Sequence, residues 1–191
     1  FLLLAAPLPA LDAKVRVQLR DEIRRIQRDV GMTTLFVTHD QEEALAVADR
    51  VGVMRAGRIE QIDSPERIYT APTTPFVARF IGVTNRVRGL SDGRSGRALG
   101  QAIPLLPGSA RGEVDMLVRP ESVLLELAEE AEDARVLSVS FLGALARVTV
   151  GLKDGSTLVA QLPPSGAGGL LPGTGVRLRF AQAPVLAESV A

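Results

Sequence analysis

The sequence predicts an α/β segment built on a parallel sheet, followed by a small all-β domain shaped as a barrel or sandwich. Three observations lead there. Two apolar strand-like runs, Phe1–Leu4 and Thr33–Thr38, enclose a helical stretch, which is the βαβ pattern of a parallel sheet. Short helices and a hairpin then carry the chain to Ile81. Beyond Gly82, short β-like runs alternate with turn signals at near-regular spacing. The boundary is set near 82–85, giving units of 1–82 and 83–191.

Composition bounds what such a chain can do. Its 191 residues allow one large domain or two small ones, and with 46% hydrophobic but 4% aromatic residues any core is aliphatic. Lysine plus arginine equals aspartate plus glutamate at 22 each, without the basic excess of a nucleic-acid binder. The absence of cysteine excludes disulfides and thiolate metal sites. No apolar run approaches the ~20 residues that cross a bilayer. The opening FLLLAAPLPALDA resembles the apolar part of a signal peptide but has no initiator methionine or basic flank. A buried strand within a longer parent chain is the expectation there.

Taken in order, Asp12 opens a helix reaching about Val30. Val15, Leu19, Ile23, Ile26 and Val30 recur every three or four residues and predict one buried stripe. Arg16, Arg20, Asp21, Arg24, Arg25 and Arg28 occupy the other face, with Asp12–Arg16 and Asp21–Arg25 as expected ion pairs. Gly31 ends the helix. In TTLFVTHDQEE, Leu35, Phe36 and Val37 predict the core of a buried strand. Asp40 is placed to cap the helix Gln41–Asp49, with Glu43 three residues on as in a capping box. His39, the single histidine, therefore stands at the carboxyl end of a strand, where open α/β sheets keep their ligand crevices.

VGVM and RIEQI flank Arg55–Gly57 as a hairpin, and Ser64-Pro65-Glu66 starts a short helix. Another follows Pro75. The strands expected beyond it are Arg86–Leu90, Asp115–Arg119, Val123–Leu127, Ala134–Phe141, Ala146–Leu152, Thr157–Leu162 and Val176–Phe180. The run 92–97, DGRSGR, reads as a loop. Arg119 and Glu121 flank Pro120, either as a turn with a surface ion pair or as a ligand or interface site.

These residues resemble a family. FLLLAAPLPALDAKVR is similar to the segment from the Walker B strand into the D-loop of ABC importer ATPases. VTHDQEEA, followed by ADRVGVMRAGRIEQ, is similar to their switch-histidine region. FVARFIGVTN resembles the junction to their appended β-domain, called TOBE, and MLVRPESV one of its strands. The branch is the one serving polyamines, iron, sulfate and sugars, and the VTN after FIG leans towards polyamines. The resemblance implies a partial P-loop NTPase (RecA-like) sheet, then an OB-like TOBE barrel. It implies that His39 contacts the γ-phosphate of ATP in the intact parent, and that Asp12 faces a second copy of the subunit. It also implies ATP and Mg2+ as cofactors there, membrane permease subunits as partners, and a cytoplasmic place on the inner membrane face without insertion.

Two departures cut against catalysis. Where the family has two acids after the first strand, this chain has Ala5 and Ala6, which can neither orient magnesium nor polarise water. Pro9 replaces the usual D-loop serine. The 191 residues contain neither a GxxxxGK[ST] phosphate loop nor an LSGGQ-type signature. The expectation is a C-terminal portion of an importer ATPase that alone binds no ATP, metal or other cofactor. The alternative is a non-catalytic regulatory module with a solute- or protein-sensing β-domain. A nucleic-acid-binding barrel is disfavoured, since Phe141 and Phe180 are the only aromatic rings after Phe80.

Overall fold

A computed structural model of the chain describes residues 2–5, 12–128 and 133–190. It divides into two compact units, one ending at Pro72 and one starting at Thr73. The division falls before the last predicted helix, whereas the sequence reading sets it near 82–85.

In the first unit, β1 (Leu2–Ala5) pairs in parallel with β2 (Thr34–Val37), with Leu2 opposite Thr34 and Ala5 opposite Val37. The connecting helix α1 spans Ala13–Val30. Asp12 caps it by accepting from the Val15 N–H at 2.9 Å, and Gly31 closes it in the left-handed conformation (φ 64°). Helix α2 (Gln41–Val47) follows, then the hairpin β3 (Val51–Arg55) and β4 (Arg58–Asp63), then α3 (Pro65–Thr70). Ala56 and Gly57 both take positive φ, as a tight hairpin turn with the right twist requires.

Three expectations change in this unit. The partial P-loop NTPase sheet is not shown beyond one strand pair: among the described residues of the unit, parallel pairing is confined to β1 and β2. The Ala56–Gly57 turn folds β3 back onto β4, and a parallel strand needs a crossover rather than a hairpin. The strands are also not buried, since Leu3 is 57% exposed and Leu35 and Val37 are each 51% exposed. Val15, Ile26 and Val30 of the predicted helical stripe are likewise exposed. Finally, Arg25 pairs with Glu22 and Asp29, and Arg16 with Asp40, in place of the expected partners Asp21 and Asp12.

The second unit is almost entirely antiparallel. Helix α4 (Pro75–Phe80), capped by Thr74, precedes β5 (Asn85–Asp92), β6 (Ser95–Ala98), β7 (Gln101–Pro104) and β8 (Arg111–Val118). Then come β9 (Val123–Leu127), β10 (Ala134–Phe141), β11 (Ala146–Leu152), β12 (Thr157–Leu162), β13 (Gly175–Phe180) and β14 (Leu186–Ser189). Two five-stranded sheets result, ordered β12-β11-β10-β13-β9 and β14-β8-β5-β6-β7. The first curls until its edges β9 and β12 approach, as in a partly open OB-like barrel. The run 92–97 is no simple loop: Asp92 accepts from the Arg94 and Ser95 N–H groups, and β6 starts at once.

One core joins both sheets. Val87, Val114, Met116 and Val118 of one meet Val136, Val148, Val150 and Leu178 of the other, all nearly inaccessible to water. Where the sheets meet, side-chain amides imitate peptide groups. Asn85 on β5 donates to the Val159 carbonyl at 2.8 Å and accepts from the Val159 N–H at 2.7 Å. Gln101 on β7 likewise donates to the Leu178 carbonyl and accepts from the Phe180 N–H. The fully buried Met116 fits a notch left by two glycines: a Cβ on Gly89 would stand 2.3 Å from the Arg97 carbonyl, and one on Gly96 2.2 Å from the Met116 sulfur.

Two stability predictions follow from these contacts. Asn85→Ala leaves a peptide N–H and C=O of β12 without partners, so urea unfolding should show a loss of about 2–4 kcal/mol. Gly89→Ala forces a methyl against backbone oxygen, and the same measurement should show a loss of about 1–3 kcal/mol. Gly57→Ala, where nothing lies within 4 Å, tests backbone strain without any such clash.

Candidate functional site: the histidine rim

Parallel pairing sets the carboxyl ends of β1 and β2 side by side, so Ala5 lies opposite Val37. His39 comes two residues later, in the bend between β2 and α2, and is exposed. Ala5 and the histidine turn thus share one rim of the parallel pair. Ala6 lies outside the described residues.

The bend is held from both sides of the histidine. Asp40 Oδ1 accepts from the Glu42 N–H at 2.8 Å and the Glu43 N–H at 3.2 Å, which caps α2. The sequence predicts a capping box in which Glu43 reaches back to the backbone N–H of the cap residue. The structure inserts Thr38 between them. The Asp40 N–H donates to Thr38 Oγ1 at 3.0 Å, and that hydroxyl donates to Glu43 Oε2 at 2.6 Å. Glu43 is buried, so the hydroxyl satisfies a carboxylate that has left water.

Two arginines of α1 reach the two ends of α2. Arg16 Nη1 donates to Asp40 Oδ2 at 3.4 Å, both side chains being about one-third exposed. Arg24 Nη1 donates to Asp49 Oδ2 at 3.0 Å, and its Nη2 to Asp49 Oδ1. That bidentate bond holds the Asp49 carboxyl below, and the Arg24 guanidinium above, their ordinary ranges. Thr38 was not singled out from the sequence, and Arg16 was paired there with Asp12 instead. The signal for Thr38 was its place two residues before a cap; the partner of Arg16, 24 positions away, left none.

Asp12 is exposed and spends one carboxylate oxygen on the α1 cap. By its chemistry alone, alanine in the sequence at positions 5 and 6 offers no oxygen to a metal or its water, so these residue types do not fit a magnesium–nucleotide centre. Among the described residues, no group of three His, Cys, Asp or Glu side chains could hold a metal ion.

In the β unit, Arg119 and Glu121 differ in exposure. Arg119 is buried, and its Nη1 donates to the carbonyls of Ala78 (3.1 Å), Ile81 (2.5 Å) and Val83 (3.3 Å), taking up carbonyls at the end of α4. Glu121 sits exposed in a 3-10 turn at 120–122. The structure does not bring either of them together with His39 in one compact unit.

Residues 116–187 match the TOBE domain family, and β9–β13 fall wholly within that range. Over 93% of its length the chain is 41% identical to a sulfate/thiosulfate import ATP-binding protein, CysA, of Xanthomonas campestris pv. campestris, covering 51% of that protein. Over 93% of its length it is 38% identical to a spermidine/putrescine import ATP-binding protein, PotA, of Acidothermus cellulolyticus, covering 50% of it. Among solved structures, the cytoplasmic molybdate-binding protein ModG is similar at 17% identity and a TM-score of 0.42, covering 56% of this chain and 94% of that one. The chain spans about half the length of the curated relatives it matches. It carries a TOBE domain and is homologous to the ATP-binding subunits of ABC importers.

Proposed function

We propose that this chain is the C-terminal portion of an importer's energy-coupling subunit, whose intact parent uses ATP and Mg2+ to drive solute uptake. The observation that carries the reading is the register of β1 on β2, which sets the histidine turn beside Ala5 at one rim. In the intact parent His39 would donate a hydrogen bond to a phosphoryl oxygen, and the exposure of the residue leaves it accessible for that. Asp12, also exposed, would face a second copy of the subunit, and Glu121 offers the β-domain an exposed carboxylate for a ligand or an interface.

The partners on this reading are a second ATPase subunit and membrane permease subunits, with no nucleic acid. The location is cytoplasmic, peripheral on the inner membrane face. No described helix is long and apolar enough to cross a membrane. The relatives include both sulfate/thiosulfate and spermidine/putrescine import proteins. A polyamine cargo rests on Val83-Thr84-Asn85 alone, and Asn85 has a structural duty as the amide that joins two sheets.

A second reading is favoured by Ala5 and Ala6: a non-catalytic module in which the β-domain senses a solute or a regulatory protein. The two differ in what lies upstream of the 191 residues. A parental reading frame encoding GxxxxGK[ST] supports the importer motor; a parent without one supports the sensor.

Phosphoryl transfer is mostly positioning and charge stabilisation, and this chain holds little of either. The isolated chain should therefore release radiolabelled phosphate from ATP no faster than its His39→Ala variant. Ala5→Asp with Ala6→Glu should not change that, because no phosphate loop is present to hold the nucleotide. Release well above the His39→Ala level from the unaltered chain would contradict the assignment.

A further inference from the structure

We propose that Arg16 is a positioning residue for His39: a strut that ties the histidine turn to the Asp12 end of α1. The importance of that turn rests on the reading of His39 given above. The strut itself is a matter of geometry.

Arg16 is engaged at both ends. Its backbone N–H donates to the Asp12 carbonyl at 2.9 Å, within the first turn of α1. Its guanidinium Nη1 donates to Asp40 Oδ2 at 3.4 Å. The two oxygens of Asp40 thereby divide their work, with Oδ1 capping α2 through Glu42 and Glu43 and Oδ2 facing α1. A carboxylate that only capped its own helix would be free to rotate. One that is also held from a neighbouring helix fixes the backbone at residue 40, and with it the direction in which residue 39 leaves the strand. Thr38 pins the other side through the Asp40 N–H and Glu43. His39, flanked by two restrained residues, is itself exposed. A movement of the Asp12 end of α1 would reach the histidine turn through one side chain.

Arg24 supplies the internal control. It lies on the same face of α1 two turns on, and its bidentate pair with Asp49 anchors the far end of α2. If arginines merely fastened α1 to α2, removing either one would loosen the histidine turn equally.

The test uses the full 191-residue chain, where the single histidine gives one Cε1–Hε1 correlation in the NMR spectrum. Arg16→Ala should move that signal towards its value in an unstructured peptide. It should also raise hydrogen exchange at the Glu42 and Glu43 amides about two- to fivefold, the scale of a partly exposed ion pair. Arg16→Lys should restore part of both effects. Asp40→Asn keeps a cap but loses the charged partner, so it should show both changes, and it carries the test by itself if Arg16→Ala unfolds the first unit. Arg24→Ala should leave both readouts near wild type. Wild-type values in Asp40→Asn, or equal changes in Arg24→Ala and Arg16→Ala, would overturn the proposal. Neither readout involves nucleotide, so the importer reading stands or falls separately, on phosphate release by the intact parent.

Discussion

Backbone groups that lose their partners in a helix or ladder must find others, and in this chain side chains supply them at each junction that matters. Asn85 and Gln101 present an amide to a strand of the other sheet and are read by it as another peptide. Arg119 collects carbonyls at and just beyond the end of α4. Asp40 takes the first free N–H groups of α2, and Thr38 takes the N–H of Asp40. An apolar replacement at any of these sites would leave a polar backbone atom without a protein partner, at a cost larger than the bond it broke.

The two units rest on different physics. The β unit closes a continuous aliphatic core between two sheets, and its amide clasps are shielded by it. The first unit leaves much of its apolar surface in water, on β1, β2 and one face of α1. What orders its rim is polar: a capped turn, a buried carboxylate and two arginines reaching from the neighbouring helix. A rim held by charges and hydroxyls can shift with smaller losses than a packed core. That suits a histidine whose proposed role is to meet a phosphate.

The chemistry missing from the rim is as specific as what is present. Ala5 pairs with Val37 through its backbone, and alanine at 5 and 6 in the sequence supplies none of the oxygens that a metal-dependent hydrolase requires. Fold and catalysis are separable here because strand pairing uses backbone atoms and catalysis uses side chains.

Much of the local structure was legible in the sequence. The caps at Asp12, Asp40 and Ser64 each accept from an N–H two or three residues ahead. The Ala56–Gly57 turn and seven of the strands are equally local, because each depends on residues a few positions apart. The strands β6, β7 and β14 were missed; they are four residues each and, unlike the equally short β1 and β2, carry no continuous apolar run. Burial was misjudged in the first unit because periodicity reveals that a face is apolar, not that anything covers it. The sequence by itself therefore determined most of the elements, the histidine at a strand end and the missing acids, all short-range properties of the chain. Only the tertiary structure decided that Arg16 meets Asp40, that Arg119 serves α4, and that Asn85 and Gln101 join two sheets. Each of those contacts spans 24 to 79 positions, and no local pattern encodes a partner so far away.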